Sequence, residues 1–290
     1  MEKIIIEVGS TVTKVDLYDG EDIKRLEEKT ILFKKNYGVN HCLNEEDVLE
    51  LVQIVKKYLE KYIDIYVCGT SIFRKLSGEE RKEFLDTFKK ETGLDFHIIS
   101  EEEENHLTVK GATRQVSGRV CVMIGGGGST EIAIYEGKII EEVNTSIGVI
   151  DVLNAFPDLS EDISKTSLEE VMAYIKKHLN LPKLKADVLI LAGGAHEMFA
   201  RESGITYQEN KVYQDHHAPI MMDIESRIRD TKKYFEEISL NQIKEKASDP
   251  AWWDATRAMC AFALVVAETV NAKIIIPTDI SMTYGIISGS

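Results

Sequence analysis

The first third of the chain alternates apolar and polar residues in three short runs. These runs cover residues 3–8, 13–18 and 22–33. Alternation of this kind is typical of half-buried strands, and the Asp19-Gly20 pair predicts a hairpin turn between the second and third runs. Helical spacing of apolar residues follows Asn44, and capping boxes at Ser77 and Ser100 predict two further helices, each preceded by a short strand. The predicted order is therefore three strands, helix, strand, helix, strand, helix.

The same order begins again near residue 119. Strands are predicted at residues 119–124, 130–135, 138–143, 187–191 and 274–276, and helices at residues 167–178, 222–238 and 252–270. Aligning the turn at Asp19-Gly20 with the turn at Glu136-Gly137 brings Gly9 and Gly126 to equivalent positions. The chain thus has the pattern of an internal duplication. This pattern predicts an α/β protein of two domains, residues 1–118 and 119–290, with mixed sheets flanked by helices and a cleft between the domains.

Composition narrows the classes of partner. The 290 residues carry 35 Lys plus Arg against 49 Asp plus Glu, a net charge of −14. This excess repels DNA and anionic lipid, so we expect neither nucleic acid nor a membrane as a partner. No segment has the length and apolarity of a membrane span or a signal peptide, so we expect a cytoplasmic protein. We expect the four widely spaced cysteines to be buried thiols. We expect Asp215-His216-His217 to form an exposed loop that binds no metal.

Two glycine-rich hairpins occupy the equivalent positions in the two halves. Glycine leaves backbone amides accessible, and flanking hydroxyls add donors, so such a loop can wrap a phosphate group. The first hairpin taken alone also fits an ordinary turn. Four successive glycines in the second weaken a strand without any packing return, which indicates a ligand that approaches the backbone closely. The candidate phosphate-binding residues in the two loops are Gly9, Ser10, Thr11, Gly126, Gly127, Gly128, Ser129 and Thr130.

Four segments in order along the chain carry a resemblance to a known family. They are Glu7-Val8-Gly9-Ser10-Thr11, Gly69-Thr70-Ser71-Ile72-Phe73-Arg74, Ile99-Ser100 with Glu103-Glu104, and Gly126-Gly127-Gly128-Ser129-Thr130-Glu131. Together they resemble the exopolyphosphatase and guanosine pentaphosphate phosphohydrolase (Ppx/GppA) family of the actin-like superfold. The resemblance implies two actin-like, ribonuclease H-like domains. It also implies a hydrolase that releases the terminal phosphate of inorganic polyphosphate or of guanosine penta- or tetraphosphate.

The resemblance assigns roles to individual side chains. Glu104 aligns with the catalytic base that polarises the attacking water, and Arg74 with Ser71 would bind phosphate. Glu131 would assist water or magnesium, and Gly193-Gly194 is a weaker echo of a further phosphate-binding segment. On the residues alone, Arg74 also fits a surface arginine at a helix start. If Ser100 caps the helix, Glu104 begins its second turn, where Glu103 and Glu131 are expected to crowd its carboxylate, a setting that raises a carboxyl pKa.

Two departures from the family pattern concern the metal. The acidic residue of the first loop is Glu7, one methylene longer than the usual aspartate, and the acidic position of the second loop is Ile124, which cannot bind a metal. We expect Mg²⁺ held mainly by Glu7, with Glu131 and substrate oxygens. The alternative is a degenerate sensor that binds phosphate or alarmone without turnover. A kinase of the same superfold would need an adenosine pocket, for which no motif is apparent. A homodimer is compatible with the sequence.

Overall fold

The computed structural model describes residues 2–10, 12–33, 36–37, 42–182, 185–245, 247 and 250–287. The described residues form two compact units, divided between Leu107 and Thr108. The assignment of domains to residues 1–118 and 119–290 stays a prediction. Among the described residues, no helix combines the length and the apolar character that crossing a membrane requires.

The first unit contains a five-stranded mixed sheet. Its strands are β1 (Lys3–Val8), β2 (Val12–Tyr18), β3 (Ile23–Thr30), β4 (Ile65–Gly69) and β5 (Phe96–Ile98), and its helices are α1 (Glu45–Leu59), α2 (Gly78–Thr92) and the start of α3 (Glu101–Ala112). The strand order is β3-β2-β1-β4-β5, with β1 antiparallel to β2 and parallel to β4. Alternate residues of β1, including Ile4 and Ile6, pack with Leu51 and Val55 of α1 and Phe88 of α2 in one buried core.

The second unit contains a seven-stranded mixed sheet. Its strands are β6 (Arg119–Gly125), β7 (Thr130–Glu136), β8 (Ile139–Thr145), β9 (Val188–Ala192), β10 (Gln208–Glu209), β11 (Ile220–Asp223) and β12 (Ile274–Pro277). Its helices are α4 (Val149–Ala155), α5 (Leu168–Leu179), α6 (Ala195–Glu202), α7 (Ile224–Glu236), α8 (Leu240–Lys244), α9 (Thr256–Val270) and α10 (Met282–Ile287). The order β8-β7-β6-β9-β12 repeats the order β3-β2-β1-β4-β5 of the first unit, and β11 and β10 extend the edge. The predicted α/β fold class is confirmed.

Two predicted helices begin later than the sequence pattern indicated. The prediction of a helix at residues 222–238 is wrong at its start, because β11 runs to Asp223, whose side chain then caps α7 by accepting from the N–H of Ser226 at 2.8 Å. Similarly, the segment Pro250–Ala255 is a 3₁₀ helix that precedes α9. Helix α9 is buried along nearly its whole length, which explains why the sequence of this helix is apolar on nearly all sides.

The cysteine prediction is correct for three residues and wrong for one. Cys68, Cys121 and Cys260 are buried, and burial raises the pKa of each thiol. Cys42 is exposed. It precedes α1 and lies outside any apolar run, so no strand or helix core takes it into the interior.

A fully buried arginine holds together the segments around α7. Arg257 of α9 donates from Nε to the carbonyl of Tyr234 at 2.7 Å. Its two terminal nitrogens donate to the carbonyls of Leu159, Glu161, Asp162 and Ile238. Burial lowers the pKa of the guanidinium, but five carbonyl acceptors satisfy the donors of this side chain. The guanidinium thus donates to carbonyls that the end of α7 and the segment 159–162 would otherwise leave without hydrogen bonds.

Asp158 organises the turn that leads to α5. Its carboxylate accepts from the hydroxyl of Thr166 at 2.7 Å, from the amides of Lys165 and Thr166, and from the hydroxyl of Ser164. Burial on its own would raise the pKa of Asp158, but these hydrogen bonds outweigh it and lower the pKa to about 2.

This shift predicts a pH-dependent contribution to stability. Because the pKa in the folded protein lies below the ordinary value of 3.8, the contribution is present above about pH 4 and is lost as the pH falls toward 2. We expect Asp158→Asn to lower the free energy of unfolding by about 1–2 kcal/mol at pH 7, since one pKa unit corresponds to about 1.4 kcal/mol and the side chain is only part-buried. Urea unfolding of both proteins at pH 7 and pH 3 checks this. A difference that is independent of pH would contradict it.

Candidate active site

The first unit brings its candidate residues to one edge of the sheet. Strands β1 and β4 are parallel, with Val8 opposite Gly69, and β5 runs parallel beside β4. The carboxyl ends of parallel strands meet at the same edge, where loops bind ligands in α/β proteins. The Gly9 turn follows β1, the short 3₁₀ helix Ser71–Lys75 follows β4, and α3 follows β5. Gly9, Arg74 and Glu104 therefore share this edge. We call Gly9, Ser10, Ser71, Arg74 and Glu104 the first-unit site.

The Gly9 turn is tight and contains an unsatisfied hydroxyl. The N–H of Gly9 donates to the carbonyl of Val12 at 2.9 Å, and a Cβ on Gly9 would lie 2.8 Å from that oxygen. The hydroxyl oxygen of Ser10 is buried, and no described residue bonds to it. A buried polar atom without a protein partner calls for an explanation, and a ligand or water oxygen supplies one. Thr11, the third candidate in this loop, lies outside the described residues.

Ser71 is held in an unusual backbone conformation. Its φ of +47° lies in the left-handed region, which is costly for a residue other than glycine. It begins the 3₁₀ helix that carries Arg74. The preceding Gly69 has no room for a side chain, because a Cβ there would lie within 2.7 Å of Phe96 and Phe73. The aromatic core therefore fixes the end of β4, and the strain at Ser71 is concentrated at the candidate site.

Arg74 and Glu104 form the central ion pair of the first-unit site. Nη1 of Arg74 donates to Oε2 of Glu104 at 2.6 Å and to the carbonyl of Ile99 at 3.2 Å. The side chains are 27% and 32% exposed, so both reach solvent. Ser100 caps α3 as predicted, since its hydroxyl accepts from the N–H of Glu103 at 3.1 Å. That cap directs Glu104 into the next turn, toward Arg74.

The environment of Glu104 tunes its carboxyl group. Burial is the largest influence and raises the pKa of Glu104, the charges of Glu7 and Glu101 raise it further, and the ion pair with Arg74 opposes them. The net direction is upward. A carboxylate with a raised pKa is a stronger proton acceptor, which suits a general base. The predicted direction of the shift is thus correct, but its predicted cause is not, because burial contributes most and the acids that contribute are Glu7 and Glu101, in place of Glu103 and Glu131.

The glycine loop of the second unit, residues 125–130, presents open backbone donors. The N–H of Gly126 donates to the carbonyl of Ser129, closing the hairpin. The carbonyls of Gly126 and Gly127 accept from the amides of Val149 and Ile150 at the start of α4. Within the ranges that the structure describes, no residue accepts from the N–H groups of Gly127, Gly128 or Ser129. Successive unpaired amides of this kind bind anions.

Gly148 supports this loop through close backbone contact. A Cβ on Gly148 would lie 2.5 Å from the carbonyl carbon and oxygen of Gly127. The N–H of Gly148 donates to the carboxylate of Asp151 at 2.9 Å, which fixes the turn against the loop. Nearby, the buried hydroxyl of Thr130 donates to the carbonyl of Ile147, so this candidate phosphate ligand serves the fold.

We expect Gly148→Ala to lower the free energy of unfolding by about 1–3 kcal/mol, because the added methyl group must displace backbone. Gly128→Ala is the matched control in the same loop, since nothing lies within 4 Å of its Cβ position. That control should change stability by no more than about 1 kcal/mol. Chemical denaturation of the three proteins measures the difference. Equal effects of the two substitutions would contradict the contact described for Gly148.

Glu131 lies beside Ile124 in the second sheet. These two residues are directly paired in the β6–β7 ladder, as Glu7 and Lys14 are in the equivalent β1–β2 ladder. Residues paired in this way have side chains on the same face, with Cβ atoms about 5 Å apart. The second unit thus has a buried carboxylate beside Ile124, the position at which the family resemblance leads us to expect an acid.

The turn at Gly193 and Gly194 differs from the two glycine loops. Both glycines have positive φ, and their N–H groups donate to the carbonyls of Ile280 and Thr278 at 3.0 and 2.9 Å. These amides hold the end of β9 to the chain that follows β12. Their assignment to phosphate binding stays a prediction.

The structure also contains a polar cluster that the sequence did not indicate. We expected Asp215-His216-His217 to be an exposed loop, but Asp215 is buried and accepts from Arg114 at 2.9 Å. Arg114 also stacks over the ring of Tyr284, whose hydroxyl lies 3.0 Å from Nδ1 of His217. Arg114 and Asp215 are 101 positions apart, so no local pattern could have revealed their pairing.

Comparison with known proteins identifies the family. The model of the Ppx/GppA phosphatase family matches residues 12–251. The chain belongs to the Ppx/GppA phosphatase family. The resemblance seen in the four sequence segments is thereby confirmed. No curated protein matches the chain in a sequence search.

Solved structures of Ppx/GppA proteins, and of one further group of hydrolases, resemble this chain in fold. A Ppx/GppA phosphatase from Aquifex aeolicus is 20% identical, with 100% of this chain and 99% of that chain covered and a TM-score of 0.79. An exopolyphosphatase from Cytophaga hutchinsonii is 16% identical, with 99% and 97% covered and a TM-score of 0.73. Nucleoside triphosphate hydrolases from Neospora caninum are 10% identical, with 99% and 91% covered and a TM-score of 0.54. The predicted actin-like fold is thus confirmed.

Proposed function

We propose that this Ppx/GppA protein hydrolyses the terminal phosphoanhydride of guanosine penta- or tetraphosphate or of short inorganic polyphosphate. The observation that carries the proposal is the ion pair of Arg74 and Glu104, with a raised pKa at Glu104, at the edge that also contains the unpartnered hydroxyl of Ser10. Membership of the family supports a phosphatase. The net charge of −14 favours the shorter substrates, because a long polyanion requires a continuous basic track.

The reaction needs a base for water and donors for the phosphoryl oxygens. Glu104 accepts a proton from the attacking water while the oxygen of that water forms a bond to the terminal phosphorus. The bond between that phosphorus and its bridging oxygen breaks, and the electron pair leaves with the shortened phosphate chain. Arg74 exchanges part of its contact with Glu104 for a phosphoryl oxygen, which frees the carboxylate at the moment the substrate binds. Considered by itself, the second unit has its own place for phosphate oxygens, the open amides of the glycine loop.

Magnesium is part of the proposal. The residues present fit a hard cation that prefers oxygen ligands, since Glu7 lies close enough for its charge to act on Glu104 and Ser10 adds an unpartnered hydroxyl. Glu7 would hold the ion in the first unit, together with oxygens of the substrate. When bound, magnesium neutralises charge on the phosphate oxygens.

The alternative function is a sensor that binds a phosphorylated ligand without turnover. Ile124 favours it, because an aliphatic side chain stands where the family has an acid. The paired Glu131 favours the hydrolase.

One experiment separates these functions. Inorganic phosphate is measured after incubation with guanosine pentaphosphate, guanosine tetraphosphate or short polyphosphate, with and without Mg²⁺, and binding is measured in parallel by calorimetry. The proposal expects phosphate release that depends on Mg²⁺. Tight binding of any of the three compounds without release would instead establish the sensor.

A further inference from the structure

An apolar groove runs along the surface of the first unit between α1 and α2. Its volume is about 580 Å³. The apolar side chains that line it come from both helices and from the segment that precedes α1. They are Leu43, Val48, Leu49, Val52 and Phe84. Leu49 is 57% exposed. With the other four side chains it lines one apolar groove, and apolar patches that reach the surface mark interaction sites.

The rim of the groove is acidic. Glu45 of α1 and Glu80, Glu83 and Glu91 of α2 line it, and none of its described lining residues is Lys, Arg or His. Glu91 is paired with Lys56 at 2.8 Å, and Glu80 closes the capping box at Ser77. The local charge is therefore strongly negative around an apolar floor.

The length of the groove suits a short helix. Glu80 and Glu91 mark its two ends along α2, and eleven residues of α-helix span about 16 Å. A third helix laid along this distance makes about three turns, and its residues at i, i+3, i+4 and i+7 form one apolar stripe. Grooves between two helices that bind an amphipathic helix use such anchors.

We propose that this groove binds a basic amphipathic helix of a partner protein, with aliphatic residues against the floor and Lys or Arg opposite the glutamates. Charge complementarity selects this occupant, because an acidic or neutral helix would leave Glu45, Glu80 and Glu83 at the rim without opposite charges, whereas Glu91 is already paired with Lys56. The contact is separate from the first-unit site, whose residues do not line the groove.

The test uses a synthetic peptide with a fluorescein label. It is a capped helix of about twelve residues with Leu at i, i+3, i+4 and i+7 and Lys at the flanking positions, and a control peptide carries Glu in place of each Lys. Fluorescence anisotropy is measured as the full-length protein is added. We expect saturable binding of the Lys peptide. The affinity should fall at least about tenfold in roughly 0.5 M salt, because at that salt concentration charges on the surface are screened beyond a few ångströms.

Two variants of the protein locate the contact. Leu49→Lys places a positive charge in the groove and should weaken binding at least about tenfold, which corresponds to 1.4 kcal/mol. Ile63→Lys makes the same kind of change at a fully exposed residue outside the groove and should leave the affinity unchanged. Cys42 lines the groove and is the exposed cysteine among the four, so its alkylation by a maleimide should slow when the peptide is bound.

Several outcomes would overturn the proposal. Absence of binding, equal binding of the Glu peptide, or equal weakening by both lysine variants excludes a basic helix in this groove. Slower alkylation of Cys42 at high protein concentration without peptide would show that a second copy of the chain covers the groove. That result would also overturn the proposal of a basic partner.

Discussion

Glu104→Gln is expected to lower the turnover number for phosphate release at least about a hundredfold. The substitution keeps an oxygen that accepts from Arg74, so the ion pair becomes a neutral hydrogen bond with little change of shape. It removes the group that takes the proton from the attacking water. Substrate affinity should change much less, because the guanidinium of Arg74 remains to bind the phosphate. Steady-state phosphate release and calorimetric titration measure the two quantities separately.

The stability of this variant provides an internal check. Because the pKa of Glu104 is raised in the folded protein, the folded state binds its proton more tightly than the unfolded chain does. Stability from this group is therefore full below the unfolded pKa and lost as the pH rises through the folded pKa. At pH 7 the ionised carboxyl group is unfavourable, so the Gln variant should be no less stable than the wild type. A lost activity accompanied by unfolding would not support the catalytic role.

Two neighbouring substitutions sharpen the interpretation. Glu102→Gln removes an exposed carboxylate from the same helical turn and should leave turnover within about twofold. Glu101→Gln removes a charge that raises the pKa of Glu104, so the acidic limb of the pH–rate profile should move to lower pH. Retention of more than a tenth of the activity by Glu104→Gln, or a limb that moves to higher pH, would contradict the role of Glu104.

Arg257→Met is expected to lower the free energy of unfolding by about 3–5 kcal/mol, the range for breaking a buried charged network. Methionine keeps much of the volume but donates no hydrogen bond. The carbonyls of five residues then lose their shared partner inside the second unit. Each buried acceptor without a donor costs about 1–3 kcal/mol, and local rearrangement recovers part of the sum.

Control variants distinguish this network from a general effect of losing an arginine. Arg229→Met removes an exposed guanidinium from α7 and should change stability by no more than about 0.5 kcal/mol. Arg257→Lys keeps a charge but offers three donors in place of five, so its stability should lie between those of the wild type and Arg257→Met. Urea unfolding followed by circular dichroism measures all three. A loss below about 1 kcal/mol in Arg257→Met would show that the five hydrogen bonds are not needed.

The sequence predicted those parts of the fold that depend on local patterns. Alternation and capping boxes placed most strands and helices within a few residues, because burial on one face imposes a period on the chain. The cap at Ser100 was predicted correctly for the same reason, since its hydrogen bond joins residues three positions apart. The internal duplication was visible because both halves place a glycine hairpin between their first two strands.

Features that depend on distant residues were not predicted. Asp215 is buried where it accepts from Arg114, which lies 101 positions earlier in the chain, in the turn after α3. The amides of Gly193 and Gly194 are engaged by carbonyls that follow β12, more than eighty positions later. The glycine motif was recognised, but only the fold shows which amides remain open. At Glu104, the sequence indicated the residue, and the structure added its partner Arg74 and the opposing influence on its pKa.

The most direct test of the account follows the oxygen of the attacking water. The wild-type protein is incubated with guanosine pentaphosphate and Mg²⁺ in water enriched in oxygen-18, and the products are analysed by mass spectrometry. Hydrolysis at the terminal phosphorus predicts one labelled oxygen in the released inorganic phosphate and none in guanosine tetraphosphate. Label in the nucleotide product, or bound guanosine pentaphosphate that remains intact, would contradict terminal phosphoanhydride hydrolysis by this protein.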